Sequence, residues 1–271
     1  MPIPPLKITE AMDIKIFPKY SPGNSEIVIS WEIGKDLPYP LAFNVLRSGG
    51  DNGEFEKINV DPLVSFFYID RDLKPLSKIF DVIYRLEVLF PFTDETQTTR
   101  NIPLVSSPRL KRSYLVAKRM DQKHFIEYRA RSGITFVIFK RRRFGEKCTA
   151  CYNPITEATT KTNCEECFST GFKNGFWSPI ETIGKIDPPV KVQRMGSVQF
   201  EEPINSQASI RAFPIVRKGD VLVEVCSNDR WYINTVQIVE HGRYPVKQTA
   251  EIRMIPRDSV LYDLELPKEV L

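Results

Sequence analysis

The chain has 271 residues, 42% of them hydrophobic and 27% charged, with a formal net charge of +4. That length exceeds one ordinary domain and the apolar share is enough for real cores, so two or three small domains are expected. No apolar run reaches the roughly eighteen residues of a membrane span, and Met1-Pro2-Ile3-Pro4-Pro5 lacks the basic and apolar regions of a signal peptide; the expectation is a soluble protein, made in a reducing compartment, with no membrane partner.

Residues 1–105 are expected to be all β. Ile27 to Ile33 and Leu41 to Leu46 are β-rich runs, and Gly49-Gly50-Asp51-Asn52-Gly53 turns the second towards Phe55 to Val60. Ser65 to Ile69 and Val82 to Val88 continue the rhythm of short strands, which predicts a sandwich with Trp31 in its core. An early-strand Trp, and Leu73-x-Pro75 leading into Tyr84-x-Leu86-x-Val88, make this third of the chain similar to a fibronectin type III domain. The interval from Pro75 to Tyr84 is longer than that family's. The resemblance implies a binding or spacer module and a tyrosine corner at Tyr84.

Ser107-Pro108 reads as N-cap and first helical residue. Leu110, Tyr114, Ala117, Met120, His124 and Tyr128 follow at spacings of three and four, which predicts a helix packing that stripe into a core until Ser132-Gly133 stops it. No nucleophile pattern accompanies His124, so no catalytic role is expected of it. Ile134 to Phe139 is an uninterrupted β run. Residues 108–147 hold thirteen Lys and Arg against Asp121, Glu127 and Glu146, a local +10 that leaves −6 for the remainder. Within it, Lys140, Arg141, Arg142 and Arg143 are adjacent cations that repel unless counter-charge is near, and an anionic partner, either nucleic acid or an acidic protein surface, is expected to meet them.

Cys148-x2-Cys151 and, twelve residues on, Cys164-x2-Cys167 form the most specific motif. Two Cys-x-x-Cys knuckles at that separation close one tetrahedral Zn²⁺ site, whereas a disulfide framework would crowd two bridges into twenty residues. Four thiolates occupy every position, leaving none for an activated water, so the metal is expected to be structural and to order the polar loop from Tyr152 to Asn163. Cys226, at the end of the apolar run from Val221, is expected to be a buried structural thiol.

Beyond the knuckles, Val190 to Phe200, Ala208 to Phe213, Val221 to Val225, Arg230 to Val236 and Thr249 to Ile255 have strand character, and a small antiparallel barrel closes them. The fold class is therefore mainly β. Four parts are expected: the sandwich (1–105), a basic helix and strand (106–147), a zinc-binding insertion of ribbon type (148–185) and a small β-barrel (186–271).

Lys140-Arg141-Arg142-Arg143-Phe144-Gly145-Glu146-Lys147-Cys148 through Cys167-Phe168-Ser169-Thr170-Gly171-Phe172, followed by a Gly-Asp barrel with an Arg-Trp-Tyr strand and a late Gln248 strand, resembles virion structural proteins of tailed bacteriophages. More narrowly, residues 106–271 are similar to neck or head-tail connector components. Ser169 departs from the Cys-x-Gly-x-Gly turn common after zinc knuckles. The resemblance implies a virion protein made in the host cytoplasm, a homo-oligomeric ring and contacts to portal, adaptor or tail proteins; the basic run itself is expected to face either an acidic protein surface or passing DNA. Two other classes stay open. A tail or baseplate protein uses the same barrel shape, and a nucleic-acid-binding zinc-ribbon protein would stack bases on Phe172, Phe176 and Trp177. An enzyme is not expected, since no phosphate loop, nucleophile elbow or open metal site appears.

Overall fold

A computed structural model describes residues 8–21, 24–49, 53–71, 82–91, 96–105, 107–153, 155–156, 158–161, 163–187 and 205–267. The chain divides into two units: residues 1–119 with 143–147 and 241–244, and residues 120–142 with 148–240 and 245–271. The expected strand over 190–200, and Leu73 and Pro75 of the expected tyrosine corner, lie outside the described residues.

The first unit is a sandwich of two sheets. Strands β1 (Met12–Ser21), β2 (Asn24–Ile33) and, after β3 (Ala42–Ser48) and β4 (Glu56–Lys57), β5 (Phe67–Asp70) form one sheet in the order β1-β2-β5. The other runs β4-β3-β6-β7, with β6 (Ile83–Leu89), β7 (Thr96–Thr98) and a short β8 (Ile102–Pro103) that also pairs with β6. Trp31 of β2 is fully buried and meets Phe43 of β3 at 5.2 Å between ring centroids, so it holds the core as expected. Tyr84 is buried too, but its hydroxyl donates to the carboxylate of Asp70 (2.8 Å), which also accepts two bonds from Arg47 (3.0 Å each). The partner is thus a cross-sheet carboxylate. Strand β1 was not expected, because Pro18 interrupts its alternation; at a sheet edge the missing N–H of proline leaves no ladder bond unmade. Segment 143–147 completes this unit's core: Phe144 is buried at 5.7 Å from Phe43, and Leu37 N–H donates to the Arg143 carbonyl (2.8 Å).

Helix α1 (Pro108–Glu127) starts as its sequence dictates, with Ser107 Oγ accepting from Leu110 N–H and the Ser107 carbonyl from Lys111 N–H. Tyr114, Ala117 and Tyr128 of the stripe are buried, while Leu110, Met120 and His124 are partly so. One π turn (Tyr128–Ser132) ends on Gly133, where a Cβ would stand 2.3 Å from the Tyr128 carbonyl oxygen; glycine is a steric necessity there.

The second unit is built on a closed antiparallel barrel of six strands: β9 (Ile134–Phe139), β12 (Ile180–Ile186), β13 (Asn205–Arg211), β14 (Val221–Glu224), β15 (Arg230–His241) and β16 (Tyr244–Met254), in the order β12-β13-β16-β15-β14-β9; between β9 and β12 lie the two short strands of the cysteine module, β10 (Tyr152–Asn153) and β11 (Ala158–Thr159). The barrel draws β9 and β12 from outside 186–271. Phe136, Ile138, Ala208, Ile210, Leu222, Trp231 and Ile233 fill its interior with Ala250 and Ile252. Gln248, fully buried, uses its amide to donate to the carbonyls of Arg211, Ala212 and Pro214 and to accept from Val216 N–H, fixing the β13-β14 connection.

Strand β9 is apolar at every position but Thr135, because both of its faces are covered over Phe136 to Phe139. Phe136 and Ile138 point inward, while Val137 and Phe139 join Val221, Val223, Ile255 and Leu264 in a second cluster on the outer wall. Phe176, with Phe168 packed against it, completes that outer cluster from the segment between β9 and β12.

Candidate metal centre

Strands β9 and β12 pair directly, Ile180 with Ile138 through Gly184 with Ile134. The ladder continues past the barrel. Trp177 N–H donates to the Lys140 carbonyl (2.8 Å), Arg142 N–H donates to the Gly175 carbonyl (3.0 Å), and Arg141 bridges to Phe176. The cysteine module is therefore the far end of a barrel hairpin.

Cys148, Cys151, Cys164 and Cys167 are all buried, and their Sγ atoms lie within 4.8 Å of one another. Cys148 Sγ stands 3.8 Å from Cys164 Sγ, and Cys151 Sγ 3.2 Å from Cys167 Sγ, so no disulfide joins them. A metal bonded to four sulfurs at about 2.3 Å needs a tetrahedral edge of about 3.8 Å, and the four thiols already approximate it. This group can hold a metal ion.

Backbone turns place the thiols. In the first knuckle Tyr152 N–H donates to the Cys148 carbonyl, and Thr160 donates twice to the Cys151 carbonyl, once through its N–H and once through its hydroxyl. In the second, Phe168 N–H donates to the Cys164 carbonyl, and Thr170 donates to the Cys167 carbonyl through both groups. Cys148 N–H donates to the Gly171 carbonyl and so joins the two knuckles. The second turn runs through left-handed backbone at Phe168 (φ 50°), Ser169 (φ 64°) and Gly171 (φ 79°). Ser169 thus adopts the conformation that glycine takes in the commoner turn, at the cost of some strain. Between the knuckles, the polar loop folds into a two-stranded ladder of β10 and β11.

Burial pushes the Cys148 and Cys151 thiols up, since neither has enough hydrogen bonds to hold a thiolate away from water. Cys164 goes the other way, down to about 7, because the Cys167 backbone N–H favours its thiolate. A cation would compensate all four.

All four side chains of the basic run are engaged within the chain, two of them by a carboxylate. Lys140 is 5% exposed and its Nζ stands 2.7 Å from Asp220 Oδ2. Arg141 N–H donates to the other oxygen of Asp220, and its guanidinium donates to the Thr170 carbonyl in the second knuckle. Arg142 donates to the Phe176 carbonyl and lies 4.3 Å from the Trp177 ring, and Arg143 faces Asp36 at 3.8 Å. Lys140 and Arg143 thus face a carboxylate, while the Arg141 and Arg142 guanidiniums rest on backbone carbonyls. These residues fasten the module to the barrel and segment 143–147 to the sandwich.

Phe172, Phe176 and Trp177 are buried and cannot stack on bases as they stand. Cys226 is exposed, contrary to expectation, because β14 ends at Glu224 and the chain turns outward through Asn228 (φ 56°). His124 Nδ1–H donates to the Val246 carbonyl (3.1 Å), and the ring stacks on Tyr128. Asp121 was not singled out by sequence; it is buried on the helix stripe and takes a two-pronged contact from Arg211 (3.1 and 2.5 Å). No described helix is long and apolar enough to cross a membrane.

Fold and site together define a mainly β protein with a closed six-stranded antiparallel barrel and a buried cluster of four cysteines. No family model, curated protein or solved structure matches the chain.

Proposed function

We propose that the four cysteines hold one structural Zn²⁺ and that the chain is a non-catalytic structural protein of a tailed-phage virion, of the neck or head-tail connector type, working as a ring. The observation that carries this reading is the closed donor set: four buried thiols at tetrahedral spacing leave no ligand position for water or substrate. Cys148, Cys151, Cys164 and Cys167 would bind the ion, and zinc would supply charge compensation and a rigid four-way link between two backbone turns. The chain's own residues use that rigidity. Arg141 and Arg142 brace the knuckles, and Phe168 and Phe176 are held against Val137 and Phe139 on the outer barrel wall.

The phage assignment rests on the sequence resemblance over 106–271, and the spacer-like sandwich suits it. A tail or baseplate position is the near alternative. The nucleic-acid-binding reading loses support, because its basic run is engaged within the chain and its aromatic side chains are buried. The composition of the purified particle tests the proposal: the chain is expected in the virion at the copy number of a closed ring located at the neck by electron microscopy. Particles that assemble fully without it would contradict the assignment.

A further inference from the structure

Apart from Lys140 to Arg143, which are engaged within the chain, a second group of cations lies on α1. Arg112, Leu115, Arg119, Lys123 and Ile126 follow one another at intervals of three and four, which sets them on one face, away from buried Tyr114, Ala117 and Asp121. All five are exposed, Ile126 by 52%, and Arg112, Arg119 and Lys123 make no ion pair among the described residues. Such a face mixes guanidinium and aliphatic chemistry. A phosphate backbone has no use for Leu115 and Ile126, whereas an acidic protein surface with an apolar centre matches both, and arginine is enriched in such interfaces.

A surface of that complementary kind exists on this chain. The free edge of the sandwich along β3 is formed by β4 and the segment after it, where Glu54, Glu56 and Asp61 are exposed beside Val60 (90% exposed) and Val64 (56%), with Lys57 the one cation among them. The edge is held in shape. Ile58 N–H donates to the Val45 carbonyl, Leu63 and Phe43 exchange two backbone bonds, and the buried Asn59 amide accepts from Val45 N–H and donates to the Asp61 carbonyl. Four of the six large apolar side chains exposed among the described residues lie on these two surfaces. Their lengths also match: 112–126 spans about 21 Å of helix, and 56–64 at most about 26 Å of extended chain.

We infer that the outer face of α1 docks against the 54–64 edge of a second copy of this chain. The two surfaces differ, so the contact is head to tail, and it repeats from copy to copy until it closes. Salt weakens it, because exposed charges are screened within about 10 Å at 0.1 M. The inference deepens the ring reading, yet it is tested on the purified full-length chain without any particle, so finding or not finding the chain in virions leaves its result untouched.

The experiment is a charge swap followed by sedimentation at about 0.05 M and about 0.5 M salt. The native chain is expected to self-associate at low salt and to dissociate at high salt. R112E/R119E and E56K/D61K are each expected to weaken association by about tenfold or more, and an equimolar mixture of the two is expected to restore it, since each reversed surface then meets its complement. Restoration also shows that both variants are folded. A native chain that is monomeric at low salt, a helix variant that associates like the native chain, or a mixture that stays monomeric would overturn the inference. So would a monomer whose helix face binds duplex DNA instead.

Discussion

In the barrel, Phe136, Ile138, Leu222, Trp231 and Ile233 with five smaller or equal neighbours leave water completely or nearly so, each of the large side chains contributing about 1.5–3 kcal/mol. At the far end of the β9-β12 hairpin, among the described residues, four cysteines form a buried cluster of their own. One region is held by buried apolar area, and the other gathers four thiols that can hold a metal ion. The hairpin therefore joins a part that is filled by apolar side chains to a part whose four thiols can hold a metal ion, and Phe168 and Phe176 of the second part help to cover the outer barrel wall at Val137 and Phe139.

Removing the metal should separate the two regions most sharply. Zinc coupled to folding contributes on the order of 10 kcal/mol in small thiolate sites, so a strong chelator, or Cys167→Ser, should abolish amide-exchange protection over 148–172 while the barrel amides of β13, β15 and β16 stay protected. A fluorescent hydrophobic dye should bind the uncovered outer wall. Equal loss of protection in both regions would break the comparison.

Next in size is the fastening between them. Asp220→Asn leaves the Lys140 ammonium buried without its carboxylate, and breaking a buried pair on one side costs about 3–5 kcal/mol. The melting temperature should fall markedly, and a compensating Lys140→Met on top of it should recover part of the loss, because it removes the buried ammonium left without a counter-charge.

Proton competition should act on one region only. Metal binding displaces the thiol protons, and Cys148 and Cys151, raised by burial, hold theirs above the ordinary thiol range, while Cys164 titrates at about 7. Raised thiols favour the protonated, metal-free state as pH falls, so apparent zinc affinity should climb steadily with pH through and beyond about 7 to 9. Chelator competition measures it, and the metal-free barrel's stability should stay nearly flat across the same window. A flat affinity profile would exclude thiolate ligation.

The smallest expected effect is a gain. Ser169 sits at φ 64°, where a Cβ is strained, so Ser169→Gly should stabilise the metal-bound module by up to about 1 kcal/mol. Gly175 allows no converse change: its Cβ would stand 2.6 Å from the Cys167 carbonyl oxygen.

What was legible in the sequence was whatever rests on local spacing. The knuckles at 148–167, the helix start at Ser107-Pro108, its stop at Gly133 and the core role of Trp31 each depend on a few neighbouring residues, and each stands. What was not legible depends on pairing across long intervals. Asp220 lies 80 positions from Lys140 and Asp70 lies 14 from Tyr84, so neither the buried carboxylate partner of Lys140 nor that of the tyrosine could be seen from adjacent letters. Closure of the barrel through β9 and β12 is of the same kind, and so is the burial of Phe172, Phe176 and Trp177. Cys226 misled because an apolar run continues to be apolar for one residue after its strand has ended.

X-ray absorption at the zinc edge of the purified chain tests the central claim most directly. The account predicts about one zinc per chain with four sulfur neighbours at about 2.3 Å and no oxygen or nitrogen in the shell. Metal-free protein with 148–172 still ordered, or a shell that includes a bound water, would contradict a closed structural site.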